Sequence, residues 1–232
     1  IQAIENVPTA DMTRLKNDKG LAISRVGSNR LIYLHLDSNR DVSPFVTDKQ
    51  GKPLAKNPLK DARVRKAISL ALNRDAIVSR VMEGEAVAAG QPLPDGYPGT
   101  SKTLKPDKFD AAQAKKLLAE AGYPDGFGIT IHAPNNRYVN DEQIAQAVAQ
   151  MLTRAGIATR VEAMPSSVFF TRATKLDFSL MLLGWSAGSG EMSDSLRPLL
   201  GTFDAKKGWG NANRGRYSNS KFDAMLDDAL VT

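Results

Sequence analysis

The sequence contains no cysteine, which excludes disulfides, thiol nucleophiles and thiolate zinc sites while leaving periplasm and cytosol both open. Histidine is nearly as scarce. His35 lies in the apolar run "LIYLHLD" in step with Leu31 and Tyr33, and His132 lies near a strand end. Neither shows a histidine or carboxylate partner at metal-ligand spacing, so both read as structural or surface residues and no metal is expected. No run of about 18 apolar residues is present, so no helix is expected to cross a bilayer. The phosphate-loop pattern is missing too, since "KQGKP" does not supply Gly-x-x-x-x-Gly-Lys-Ser/Thr. With no metal, thiol, nucleotide or acid/base constellation, binding is favoured over catalysis by elimination, and no cofactor is expected.

What is present is enough for a proper core: 232 residues, 42% of them apolar. The net charge of +6 comes from 31 basic and 25 acidic residues, interspersed rather than blocked. That pattern describes a solvated basic surface, and no nucleic-acid partner is expected. The opening "IQAIENVP" has neither a basic n-region nor an apolar h-region. It reads as a strand, and the final "FDAMLDDALVT" stops inside an amphipathic helical pattern. The expectation is a piece of a longer protein.

Along the chain, Thr9 is placed to cap a short helix over "ADMTRLKND", and "LAISRV" and "RLIYLHLD" read as strands. "VSPFVTDKQGKPLAKNPL" has no periodicity and is expected to be an exposed connection. Asp61 caps "ARVRKAISLALN", and Asn73 or Arg74 opens "RDAIVSRVM". Residues 84–108, rich in Gly and Pro, form a long surface arm. Asp110 starts "AAQAKKLLAEAG", with Gly122 as its left-handed stop. "FGITIHA" is a strand. "DEQIAQAVAQMLTRAG" then sets Ile144, Ala147, Val148, Met151, Leu152 and Ala155 at helical spacing. "IATRVEAM" is a strand, Pro165 opens a helix over "SSVFFTRAT", and "DFSLMLLG" is a strand apolar on both faces. The alternation over 127–184 predicts an α/β layer with partly parallel strands, whose ligands bind beyond the strands' carboxyl ends. "APNNRY" and the turn at 184–190 both lie at such ends.

That turn, "GWSAGSG", matches the Gly-x-Ser-x-Gly nucleophile elbow around Ser186. A hydrolase of that topology needs its histidine after the serine, yet both histidines precede it. A serine hydrolase at Ser186 is therefore only the alternative reading.

"NPLKDARVRKAISLALNRDAIVSRVMEGEAVAAGQPLP", "FDAAQAKKLLAEAGYPDG", "FGITIHA", "IAQAVAQMLTRAGI" and "NRGRYSNSKFDAMLDDAL" follow one another in an order that resembles the family 5 extracellular solute-binding proteins of ABC importers. The resemblance covers nearly the whole chain. It implies a type II periplasmic-binding-protein fold, a mixed sheet flanked by helices, with residues 1–232 forming one lobe, the C-terminal one of two that close on a ligand. It also implies a monomer, periplasmic or lipid-anchored outside the membrane, made with a signal peptide and delivering a short peptide or peptide-like solute to an inner-membrane permease. In peptide-binding members an aspartate three residues after the Trp pairs with the ligand's amino group, and here that position is Gly188. "GWSAGSGEMSDSLRPLL" is closer to the glutathione-uptake branch, with Glu191 and Arg197 at matching positions. The ligand-binding residues this implies are Arg137, Tyr138, Trp185, Ser186, Ala187, Gly188, Glu191 and Arg197, with Arg137 as a carboxylate clamp. Each has a structural alternative: Trp185 as a core aromatic, Glu191 as a helix-start acid, Arg197 as an ion pair, and Gly188 as a backbone device.

Overall fold

The computed structural model describes residues 7–230. Local chemistry starts most of its helices. Asp61 accepts from Arg63 N at 2.8 Å to open α2 (Ala62–Ala71), and Asn73 accepts from Ala76 N to open α3 (Arg74–Arg80). Asp110 does the same for α4 (Ala111–Glu120), which Gly122 ends with φ +91. A short first helix, α1 (Met12–Lys16), precedes them. Thr9 lies inside a 3₁₀ turn leading into α1 and makes no cap hydrogen bond there. Its hydroxyl instead accepts from Asn140 Nδ2 at 2.7 Å, so the expected capping role is corrected.

Five strands make one mixed sheet: β1 (Arg30–Leu36), β2 (Val46–Thr47), β3 (Phe127–Pro134), β4 (Ile157–Met164) and β5 (Leu180–Ser186). β4 runs parallel to β3 from Phe127↔Ile157 to Pro134↔Met164. β5 is also parallel to β3, with Ile131↔Leu180, and β2 is antiparallel to it, with Val46↔Ile129. A strand has two edges, so β2 and β5 share the one that β4 leaves. β1 pairs antiparallel with β5 and sets Arg30 opposite Ser186. The expected α/β class with parallel strands is the one found.

Alternation along β5 divides the core. Leu180 and Leu182 join Ile131 and Ala133 of β3 under α5 (Asp141–Arg154), while Met181 and Leu183 pack with Phe169 and Ala173 of α6 (Ser166–Thr174) on the other face. The α5 stripe is rotated slightly from the expected one. Ala145 and Ala149 are buried, whereas Ala147 and Met151 are only half-buried, because alanines let the helix approach the sheet closely while adding little to an apolar pattern. Two more helices, α7 (Ser193–Leu200) and α8 (Ser220–Ala229), follow β5.

Three strand expectations change. Residues 21–26, expected as a strand, are exposed and join no strand among the described residues, since alternation makes a strand only where an edge accepts it. The expected connection at 42–59 contains β2, whose Val46 is 1% exposed. The first three residues of the expected turn at 184–190, "GWS", belong to β5, which runs on to Ser186. The strand expected at the first residues lies outside the described ones. The arm at 84–108 has no helix or strand, as expected.

Both histidines are structural. His35 Nε2 accepts from Gly215 N at 3.0 Å, and the His132 ring stacks on Phe178 at 4.1 Å. The parallel ladder also brings Glu162 Oε2 to 3.2 Å from His132 Nε2, a carboxylate neighbour the sequence spacing did not reveal. Among the described residues no group of His, Cys, Asp or Glu could hold a metal. Burial lowers both imidazoles from 6.5 to about 4. The unfolded chain therefore takes up protons before the native state does, and stability is full above 6.5 and lost as pH falls toward 4. Urea midpoints measured across that window should fall steadily, and His132→Phe should lessen the fall.

Candidate functional site

Because β3, β4 and β5 are parallel, their carboxyl ends share one edge of the sheet, and antiparallel pairing adds the first residue of β1 to it. Four segments therefore converge: the loop at 135–140, the start of α6, the turn at 187–192 and residues 29–30.

The first loop is built on Asp141, 3% exposed, at the start of α5. Its Oδ2 accepts from Arg137 N at 2.9 Å and Tyr138 N at 3.0 Å, and its Oδ1 from Glu142 N. These donors and the helix dipole satisfy the buried charge. Asn140 takes φ +54 and its amide donates to Val81 O at 2.8 Å, tying the loop to the end of α3. Asn136 Oδ1 accepts from Ser166 N, linking the loop to α6.

Tyr138 reaches from this loop across β5. Its hydroxyl donates to Gly184 O at 3.4 Å. A Cβ on Gly184 would stand 2.7 Å from Tyr138 Cε1 and 2.9 Å from Ile32 Cδ1, so glycine is required for the ring to lie there. Arg137 Cζ is 5.7 Å from the Tyr138 ring centroid and Arg30 Cζ 5.8 Å. Arg30, which sequence reasoning missed, also donates from Nε to Ser186 Oγ at 3.2 Å. Only the strand register could have revealed it.

The remaining expected residues fall around the turn. Trp185 is half-buried, opposite Leu31, and its Nε1 has no hydrogen-bond partner among the described residues. Ser186 and Gly188 are exposed. The Ala187 methyl is buried with Leu93 and Met192, and its carbonyl accepts from Asn29 Nδ2 at 2.6 Å, so it shapes the turn from beneath. Glu191 accepts from Ser193 N at 3.2 Å and from Ser193 Oγ, which makes it a cap on α7. Arg197 is exposed and forms no ion pair among the described residues.

A second missed residue is Asp194. Its Oδ2 accepts from Ser189 N at 3.0 Å and Ser189 Oγ at 3.2 Å, and would lie 3.6 Å from a Cβ on Gly188. The Ser189 backbone bond, ahead of the other causes, holds this carboxyl below its usual range. An acidic group therefore stands over the position where Gly188 offers none.

The arm supports the turn from behind. Met192 N donates to Pro98 O, and Gly99, at φ +79, leaves room for the Met192 side chain that a Cβ would meet at 2.7 Å.

The hydrolase alternative fails on distance. His35 and His132 are both in register with Met181, five residues before Ser186 on β5. At about 3.3 Å per residue each lies roughly 16 Å from Ser186, which meets an arginine instead of a base.

These polar groups stand at the carboxyl ends of a mixed sheet, where ligands bind in folds of this class. The chain belongs to the bacterial extracellular solute-binding proteins, family 5, whose model matches residues 1–207. It is 31% identical over 227 residues to Heme-binding protein A of Haemophilus influenzae, covering 95% of this chain and 37% of that protein. It is equally 31% identical to the Glutathione-binding protein GsiB of Pectobacterium atrosepticum, covering 94% of this chain and 39% of that one. HbpA2 from Haemophilus parasuis shares the fold at TM-score 0.77 and 24% identity, over 95% of this chain and 40% of that one. So does a dipeptide binding protein from Pseudoalteromonas in complex with Met-Leu, at TM-score 0.76 and 24% identity, over 97% and 41%. The chain thus spans about two fifths of its relatives' length, and its fold class is the expected type II periplasmic-binding-protein one. No described helix is long and apolar enough to cross a membrane.

Two substitutions test how the site is positioned. Gly184→Ala should displace Tyr138 and lower stability by about 1–3 kcal/mol. Asp141→Ala, which leaves three part-buried N–H groups without their acceptor, should cost about 1–2 kcal/mol. Urea unfolding checks both.

Proposed function

We propose that residues 1–232 are the C-terminal ligand-binding lobe of an ABC importer's substrate-binding protein. A short peptide or peptide-like solute binds between this lobe and a second one, and the closed protein delivers it to a permease in the inner membrane. The protein works as a monomer, periplasmic or lipid-anchored outside the membrane, with no covalent chemistry and no cofactor.

The observation that carries this reading is the open row of recognition groups at one sheet edge: Arg137 and Tyr138 after β3, then Trp185, Ser186 and Gly188 at the end of β5, with Arg197 on α7 beyond. Glu191 contributes by fixing the start of α7, and Ala187 by setting the turn. Arg137 suits a ligand carboxylate. The Asp194 carboxylate suits an ammonium group, and so takes the role that an acid at position 188 would have. Two of the relatives are named for heme and for glutathione, and both molecules carry two carboxylates. That shared chemistry supports a small acidic solute.

Closure makes affinity depend on both walls, so one wall alone binds far more weakly. Calorimetry with glutathione and a panel of short peptides should show binding to the intact protein that is about a hundredfold or more tighter than to the isolated 232-residue lobe. Equal nanomolar binding by the lobe alone would sink the two-lobe mechanism. Quenching or enhancement of Trp185 fluorescence, lost in Trp185→Phe, should report the same ligand.

A further inference from the structure

We propose that Arg30 is the second guanidinium of an anion subsite, and that Arg30 and Arg137 together take a carboxylate group of the solute over the ring of Tyr138. The proposal deepens the solute-binding reading and rests on it for the identity of the cargo. Its own support is geometric.

Arg30 and Arg137 come from different elements, β1 and the loop after β3, yet their Cζ atoms lie 5.8 Å and 5.7 Å from the same ring centroid. Two like charges brought to one ring repel each other unless an anion lies between them. Some arginines elsewhere meet a carboxylate, such as Arg25 with Glu85, Arg40 with Asp37, Arg63 with Asp61 and Arg172 with Glu162, but only Arg30 and Arg137 share the ring of Tyr138. Among the described residues no ion pair involves Arg30 or Arg137, and both are exposed at the same edge. Both guanidinium groups are thus open to a counter-ion from outside.

The platform is fixed in advance. Tyr138 and Arg137 are held through their backbone N–H groups by Asp141, and the Tyr138 hydroxyl is held by Gly184 O. On the other side, the Asn29 amide donates to Ala187 O and fixes the backbone just before Arg30. Arg30 spends its Nε–H on Ser186 Oγ, which orients the guanidinium plane and leaves its terminal nitrogens free to donate. A planar two-oxygen anion matches such donors better than a spherical one, and arginine is suited to this geometry where lysine is not. Ser186 thus acts as the positioning residue for Arg30.

The test follows the arginine Nε–H resonances of the intact protein by NMR while succinate is added, with succinamide, sodium chloride and inorganic phosphate as controls at matched ionic strength. The Arg30 and Arg137 resonances should move together on one saturable curve with succinate and stay put with succinamide and chloride. Arg30→Gln should weaken succinate binding at least tenfold at unchanged melting temperature, and Arg30→Lys should recover only part of it. An Arg30 resonance that does not move, one that moves equally with chloride, or an Arg30→Gln variant of unchanged affinity overturns the subsite. Phosphate binding as tightly as succinate overturns its assignment to carboxylates. The two readings fail separately: peptides that bind in calorimetry while Arg30 is silent defeat this inference alone, and succinate at Arg30 with no peptide binding defeats the peptide-like cargo alone.

Discussion

Strand β3 carries the load on which the rest of the molecule depends, because both of its edges are hydrogen-bonded, one along its whole length to parallel β4 and the other to parallel β5 and antiparallel β2. Parallel pairing fixes more than register. It sends the chain through a helix between successive strands, so α5 and α6 must lie over the sheet, and it brings three carboxyl ends to one edge. The buried side chains of β3 and β5 keep this arrangement from slipping, since a one-residue shift would exchange Leu180 and Leu182 with Met181 and Leu183 between two differently packed faces. The site is a consequence of that constraint.

Its outer parts are held by polar groups, which are more specific and less strong. Asp141 accepts three backbone N–H groups and so turns a loop that would otherwise be mobile into a fixed mount for Arg137 and Tyr138. The missing side chain at Gly184 is the complementary device, opening the space that the Tyr138 ring fills. The arm reaches the turn from the opposite side through Leu93, Tyr97 and Met192, a small apolar cluster separate from the main core. A surface of this kind is presented rigidly on one wall and left open on the other, as suits a ligand that is enclosed by a second body.

The sequence was legible where one local rule decided the outcome. Asp61, Asn73 and Asp110 cap helices as their spacing implies, Gly122 stops one, and β3, β4 and α5 follow their periodicities. Legibility failed where pairing decided. "LAISRV" has a strand's composition but no strand partner among the described residues, while Val46–Thr47 has little pattern and still finds an edge of β3. The helix α7 escaped because Pro198 lies within "SDSLRPLL", near its end, where the lost N–H disrupts only the last turn. In the site, residues adjacent in sequence were found and those adjacent only in space were not. Arg30 lies 156 residues from Ser186, and Asp194 reaches Gly188 only after α7 has turned back toward it.

These two missed residues change what the turn means. Read along the chain, "GWSAGSG" suggested a nucleophile at Ser186 or a missing acid at Gly188. In space Ser186 orients a guanidinium, and the acid comes from the first turn of the next helix. A positive group and a negative group thus stand on either side of Gly188, the first meeting no carboxylate among the described residues and the second hydrogen-bonded by Ser189, with Arg197 adding a lesser charge attraction. Fixed charges of opposite sign that do not neutralise each other select a ligand with complementary charges at matching separation, and they reject one with either charge missing, because closure would then bury the unpaired group. In the two-lobe reading proposed above, discrimination on this wall comes from charge placement on a rigid edge, and shape is left to the wall that closes over it.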